Sequence, residues 1–352
     1  MTARLRALAP HTPVQIVVAT FAVAVMIGTL FLLLPIARKG LGGAPLLTAL
    51  FTATSALCGG TIVVDTSTYW SGFGEVVILL LAQIGGFGIM TAASLLGLVA
   101  SRRLGLRATL TAQAETSSLG LGEVRRVITT VAVFSLVFEL VTAVVLATRW
   151  WLAYDESVLR SVYLGVFHSV TAYNNAGFAL YPDNMVRFAT DPWISLPLML
   201  GSIAGGIGFP VLFELSRELT ASRRWSLHTK LTLATSAALI VVGTVAVTAL
   251  EWTNPATLGR FSVSGKLIAG FFQGVTPRTA GFNSVDYAEM DRATLLVTDV
   301  LMFIGGGSGS TAGGIKVTTS RSSEWSSTPR SAVRPTSTCC VDVSPQQRSG
   351  KH

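Results

Sequence analysis

Long apolar runs alternate along this chain with shorter apolar stretches and polar, glycine-centred segments, in an order that recurs three times. Runs near or above the roughly 20 residues needed to cross hydrocarbon occupy 14–36, 74–100, 127–149, 192–215 and 231–250, and a shorter one at 294–304 ends abruptly in glycines. Between the members of each pair lies a weaker apolar stretch, at 46–57, 158–170 and 265–274, too short to span. These stretches predict helices that enter only half of a membrane. Each leads into a glycine-centred segment: TSALCGGTIVVDT (54–66), SVTAYNNAGF (169–178) and GVTPRTAGFNSVD (274–286). In a bilayer every backbone N–H and C=O must find a partner, so non-helical backbone between two spans survives only where it lines a cavity or is buried in protein. Its free carbonyls are then available to a cation.

Self-similarity of this kind fixes architecture more firmly than a single motif. Each unit reads span, short re-entrant helix, glycine loop, span, so successive units run parallel. Parallel units can surround a central axis, each giving one loop to a ring of carbonyls. The expected fold class is an all-α polytopic membrane protein of tandem parallel helix/pore-loop/helix repeats. The expected division is an N-terminal segment at 1–12, repeat 1 at 13–126, repeat 2 at 127–228, repeat 3 at 229–319 and a tail at 320–352. That tail is rich in Ser, Arg and Pro without apolar period, a composition that does not order itself. The first run is long and lacks a small-residue cleavage site after it, so it is expected to remain as a span.

Composition agrees with the membrane class: 50% of the residues are hydrophobic, 12% are charged and the mean hydropathy is +0.59. A net charge of +8 would suit nucleic acid, but the basic residues sit where topology places them. Arg4 and Arg6 precede the first span, Arg102, Arg103, Arg107, Arg125 and Arg126 fill the second connection, and Arg217, Arg223, Arg224 and Lys230 fill the fourth. The bias of Lys and Arg toward the cytoplasmic side predicts a cytoplasmic N-terminus and glycine loops that open outward. No nucleic-acid partner is implied.

Other chemistry is excluded by spacing. Of the three cysteines, Cys58 stands in an apolar context and Cys339 and Cys340 are adjacent in the tail, which gives neither a disulfide framework nor a zinc site. A phosphate-binding loop needs lysine directly after glycine, whereas Ile315 separates Gly314 from Lys316. Gly85, Gly86 and Gly88, like Gly205, Gly206 and Gly208, lie inside apolar runs rather than after a soluble strand, and predict close helix packing. Ser169 and His168 are neighbours in sequence with no third group to orient the histidine, so His168 is expected to be packed in the short helix and no enzyme is implied. Glu75 and Glu214 are expected at interfaces, and Glu139 in an interhelical bond.

The segments FTATSALCGGTIVVDT (51–66), LLAQIGGFGIMTAAS (80–94), FHSVTAYNNAGF (167–178), GGIGFPVLFEL (205–215), QGVTPRTAGFNSVD (273–286) and LMFIGGGSGSTAGGIKVTT (301–319) together resemble the Trk/Ktr/HKT superfamily of potassium transporters, in its KtrB/TrkH branch of bacterial potassium-uptake subunits. The resemblance covers 12–319 in order. It implies four repeats, of which three are present, with one glycine of each loop in a potassium-selective filter. Carried onto this chain, the filter takes Ala176, Gly177 and Phe178 in the second loop and Ala280, Gly281 and Phe282 in the third. The first loop departs from the family pattern, with Cys58, Gly59, Gly60 and Thr61 where relatives read V-T-G-L. Counting back from Asp65 selects Gly60, and Gly59 stays open. Asn174, Asn175 and Thr279 are expected to support the filter through side-chain hydrogen bonds. Gly305, Gly306, Gly307, Ser308, Gly309, Ser310, Thr311, Ala312, Gly313, Gly314 and Lys316 are expected to form an intramembrane loop that gates permeation.

The function that the resemblance implies is potassium uptake across the bacterial plasma membrane as a pore-forming subunit, with sodium dependence open. No cofactor is implied. Nucleotide would be bound by a cytoplasmic KtrA/TrkA-type ring that contacts a homodimer of this chain. Relatives continue past Thr319 into a fourth repeat, so the tail reads as the product of a frameshift near codon 320. A non-functional truncated remnant and a secondary transporter of another family, with repeats that are commonly inverted, are the alternatives.

Overall fold

The computed structural model of the chain describes residues 13–59, 62–108, 121–218, 222–278 and 280–316. The segments 1–12 and 320–352, together with Gly60, Thr61 and Thr279, lie outside the described residues. The main helices are α1 Pro13–Leu33, α2 Leu46–Cys58, α3 Gly72–Ala108, α4 Leu121–Ala153, α5 Val158–Tyr173, α6 Pro192–Ile207, α7 Phe209–Glu218, α8 Leu227–Glu251, α9 Val263–Val275 and α10 Arg292–Phe303. Among the described residues the only strand-like pairings are two isolated bridges, Arg38 with Trp70 and Ile304 with Ile315.

Local chemistry starts these helices where the polar residues interrupt the apolar runs. Ser157 and Ser262 cap α5 and α9, accepting from the N–H groups of Arg160 and Gly265 at 3.3 Å, the usual role of serine at a helix start. Asp191 caps α6, accepting from Trp193 N–H at 2.9 Å with Pro192 at the first helical position. The short helices α2, α5 and α9 make their most extensive contacts with the long helix before each of them, α1, α4 and α8.

Helices α3, α4 and α8 are long and apolar enough to cross a membrane, and α6 with α7 makes a fourth if the bent pair counts as one span. The 21 residues of α1 extend about 31 Å at 1.5 Å per residue. On α4, Val133, Leu136, Val137, Leu140, Val141 and Val144 form an exposed apolar stripe at helical spacing. The opposite stripe, Val131, Ser135, Glu139, Thr142, Leu146 and Trp150, is buried and carries the polar groups. Water would demand the reverse arrangement, whereas lipid accepts it.

The apolar run at 192–215 is broken where sequence patterning predicts a continuous span. The axes of α6 and α7 differ by 100° across Gly208, whose φ of 97° is a left-handed value that suits glycine. Pro210 explains the break: it has no N–H for the Gly206 carbonyl four residues earlier. That carbonyl instead accepts from Gly307 N–H at 2.9 Å, and the Gly205 carbonyl from Thr311 N–H at 3.2 Å, while Phe209 N–H turns to the Gly309 carbonyl at 3.2 Å. The glycine-rich stretch after α10 therefore fills the gap in the preceding unit's span.

Glycines at matching places receive the ends of the short helices. A Cβ on Gly85 would lie 1.9 Å from the carbonyl oxygen of Leu57, and one on Gly205 would lie 1.8 Å from that of Tyr173. The expected close packing at these glycines is thus found. Gly201, one turn earlier on α6, would meet nothing nearer than 3.7 Å. Gly205→Ala is accordingly expected to destabilise the detergent-purified protein by about 1–3 kcal/mol through overpacking. Gly201→Ala should melt at or above the wild-type temperature, because alanine exceeds glycine in a helix by about 1 kcal/mol; equal losses in the two variants on thermal denaturation would count against the notch.

Candidate functional site

The second glycine loop follows from how α5 ends. Asn174 caps the helix, donating its N–H to the Val170 carbonyl at 3.0 Å, and Asn175 takes a φ of 52°. Ala176 N–H then donates to the Thr171 carbonyl at 2.8 Å, and Gly177 enters the left-handed region at a φ of 69°. Thr171 Oγ1 donates to the Phe178 carbonyl at 3.0 Å, which closes the turn over its own helix. Every residue from Thr171 to Leu180 is buried.

The third loop repeats this plan with other side chains. After α9 a helical turn covers Thr276–Arg278, Ala280 N–H donates to the Thr276 carbonyl at 3.1 Å, and Gly281 has a φ of 78°. In the first loop Gly59, directly after α2, has a φ of 68°. Three left-handed glycines thus stand at the ends of three short helices.

Two of them touch. A Cβ on Gly177 would lie 2.4 Å from the Cα of Gly281, and one on Gly281 would lie 2.6 Å from the Cα of Gly177. No side chain fits at either position. Gly59 approaches the second loop, where a Cβ would lie 3.1 Å from the Asn175 carbonyl oxygen. Among the described residues no hydrogen bond ends on the carbonyls of Ala176, Gly177, Ala280 or Gly281. A cavity of about 760 Å³ stands over these loops, lined in part by Gly59, Asn175, Thr276 and Gly281. Asp65, Asp183 and Asp286, one from each unit, line it too. Each has a local partner: Asp65 accepts from Ser67 N–H at 3.0 Å, Asp286 from Ala288 N–H at 3.0 Å, and Asp183 pairs with Arg187 at 2.8 Å.

Both loops are clamped from their own short helix. Leu180 N–H donates to His168 Nε2 at 3.1 Å, and His168 Nδ1 meets the Leu164 carbonyl at 2.8 Å. In the third loop Ser284 N–H donates to Gln273 Oε1 at 3.2 Å. Leu180 and Ser284 each stand three residues after the loop glycine, so the two clamps are equivalent despite different chemistry. With both ring nitrogens engaged, His168 is a packed structural residue, and Ser169 Oγ donates instead to the Val166 carbonyl at 3.0 Å.

Three residues before each glycine stands a buried polar anchor, Asn174 in one loop and Arg278 in the other. Asn174 Nδ2 bonds to Gln83 Oε1 at 3.0 Å and Glu139 Oε1 at 3.2 Å. Arg278 reaches Ser236 Oγ at 3.4 Å and the Ile304 carbonyl at 3.5 Å. The Asn175 carboxamide lies 2.7 Å from Thr311 Oγ1. Gln83, Arg278, Gln273 and Ser284 are not singled out by sequence pattern. Their polarity inside apolar or loop contexts is the one signal that marks them.

The glycine-rich stretch lies beneath these loops. Gly305 N–H donates to the Ile315 carbonyl at 2.9 Å and Ile315 N–H to the Phe303 carbonyl at 3.2 Å, which closes the stretch on itself. Thr311 Oγ1 donates to the Tyr173 carbonyl at 3.1 Å, tying it to the end of α5. Lys316 Nζ caps the turn, bonding to the Ala312 carbonyl at 2.5 Å and Ser310 Oγ at 3.2 Å. Gly305, Gly306, Gly307, Gly309, Ser310, Thr311 and Ala312 are buried, while Ser308 and Gly313 are half-buried and Gly314 is exposed. A Cβ on Gly307 would fall 2.2 Å from the Ile207 carbonyl oxygen.

Comparison with known proteins agrees with this arrangement. The profile of TrkH, described as a cation transport protein, matches residues 1–331. The chain is 41% identical over 311 residues to the Ktr system potassium uptake protein B of Bacillus subtilis, covering 88% of this chain and 68% of that one. It is 38% identical over 307 residues to the protein of the same name from Vibrio alginolyticus, covering 87% and 67%. The crystal structure of the potassium transporter TrkH from Vibrio parahaemolyticus superposes with a TM-score of 0.63 at 18% identity, over 91% of this chain and 63% of that one, and shares its fold. The chain thus spans about two thirds of the length of these relatives. By its profile, its relatives and its fold, this membrane protein belongs to the TrkH family of cation transport proteins.

Proposed function

We propose that this chain carries potassium ions across the bacterial plasma membrane as the pore-forming subunit of an uptake system, with the glycine loops as its selectivity filter. The observation that carries the reading is the meeting of Gly177 and Gly281, two left-handed glycines at the ends of half-length helices, whose carbonyls and those of Ala176 and Ala280 accept no hydrogen bond among the described residues. Ala176, Gly177 and Ala280 are buried, and buried carbonyls are costly unless something takes them, while Gly281 faces the cavity. A dehydrated monovalent cation is the partner they suit.

The first loop contributes Gly59, Gly60 and Thr61, and the φ of Gly59 favours it as the counterpart of Gly177 and Gly281. Phe178 and Phe282, both buried beside these glycines, pack the filter from behind. The carboxylates of Asp65 and Asp286 around the cavity supply the negative potential that draws cations to the mouth, while that of Asp183 is offset by Arg187. Two relatives that share 41% and 38% identity are named for potassium uptake, which supports the choice of ion. The stretch from Gly305 to Lys316 serves as the gate, since it lies beneath the filter and is held by few side chains. The N-terminus lies in the cytoplasm, and the basic connections there would meet a nucleotide-binding regulatory ring beneath a homodimer. The chain itself holds no cofactor in this reading.

Expression in a potassium-uptake-deficient bacterium tests the assignment. The wild-type chain, alone or with a regulatory ring subunit, is expected to restore growth at limiting potassium, and Gly177→Ala and Gly281→Ala to lower uptake by more than about tenfold, the effect of losing one good ligand interaction. Equal rescue by wild type and both variants, or none by wild type although it reaches the membrane, would remove the reading. The gate assignment has its own measurement. Thr311→Val should raise maximal uptake roughly threefold to tenfold with affinity unchanged, as the loss of hydrogen bonds of about 1 kcal/mol loosens the loop; a fall in uptake would speak against it.

A further inference from the structure

Glu139 has no part in the function just described, yet it reaches the second loop. It sits midway along α4 and is 5% exposed. Both its oxygens accept: Oε2 from Gln83 Nε2 on α3 at 3.1 Å, and Oε1 from Asn174 Nδ2 at 3.2 Å. Gln83 Oε1 closes the triangle, accepting from Asn174 Nδ2 at 3.0 Å. Gly86, three residues along α3, makes the room, because a Cβ there would lie 1.9 Å from Asn174 Oδ1. That amide oxygen has no partner of its own among the described residues, so the orientation of Asn174 is set by what its nitrogen donates to.

Asn174 ends α5 and stands three residues before Gly177. Between them Asn175 is itself left-handed, so the path of the loop depends on where the helix end is held. Buried polar networks of this type hold a single geometry when complete and are costly when one member is missing. Ionisable groups are rare inside membrane helices, and a carboxyl group at this depth demands a reason.

We propose that Glu139, with Gln83, is a positioning residue that fixes the second loop through Asn174 and thereby sets which monovalent cation the loop carbonyls accept. This rests on the filter reading above. A carbonyl ring discriminates between ions by the spacing and number of its oxygens, so a shift of the helix end changes the preference between ions more than it changes the capacity to fold.

The test melts the purified chain in detergent against rising KCl, NaCl or RbCl and compares the half-stabilising concentrations. Glu139→Ala is expected to flatten the potassium-to-sodium ratio about tenfold, the effect of losing one hydrogen bond to a carboxylate. Glu139→Gln, which keeps an acceptor for Asn174, should retain most of it. If Glu139→Ala does not accumulate, Gln83→Ala carries the same expectation at smaller amplitude. Variants that melt lower but keep the wild-type ratio would overturn the proposal and leave Glu139 a packing residue. A wild-type chain that prefers sodium, with the preference still flattened by Glu139→Ala, would end the potassium reading and uphold this one. If none of these salts shifts the wild-type melting, both fall.

Discussion

The constraint on which this structure depends is that backbone polar groups at membrane depth must be paired inside the protein. Helices satisfy it automatically, and each departure has to be repaired by another segment. Pro210 frees the Gly206 carbonyl, and the stretch after α10 supplies the N–H of Gly307 that takes it. Because Phe209 and Thr311 complete the exchange, two broken segments from successive units repair each other. The units are thus joined where their helices are broken. Against that background, the carbonyls of Ala176, Gly177, Ala280 and Gly281 accept no hydrogen bond among the described residues, which is what the filter reading proposed above requires.

Close approach of backbones is the second requirement, and it explains the glycines better than flexibility does. Gly85 and Gly205 admit the carbonyls that end α2 and α5, so each short helix is seated in the second span of its own unit. Gly177 and Gly281 admit each other. The side chains then fix what the glycines permit: His168 holds Leu180 and Gln273 holds Ser284, each from within its own unit. Seat, turn and clamp come together in the second unit, and the third repeats the turn and the clamp with different residues.

Much of this was legible in the sequence, for identifiable reasons. The three-fold order of long run, short run and glycine loop follows from hydropathy alone, since a 13-residue helix such as α2 or α9 cannot cross hydrocarbon. Glu139 was expected in an interhelical bond and makes one with Gln83. The break at Gly208 was missed because mean hydropathy carries no information on backbone pairing; the signal was Gly208 and Pro210 flanking one residue inside an apolar run. The clamps were beyond reach for another reason. Histidine and glutamine do the same work from places one residue apart relative to the loop glycine, so a repeat read through residue identity does not align them.

The two anchors carry that point further. Asn174 and Arg278 hold equivalent places, but one is bonded to a carboxyl group and the other is a guanidinium against Ser236 and the Ile304 carbonyl. What the two loops share is therefore a backbone plan, while the polar groups behind them differ. An ion held between the loops would meet like carbonyls in front and unlike polar groups behind them. Charge acts over longer distances than packing in a medium of low dielectric, so the loops need not contribute equally to ion preference even where their backbones coincide.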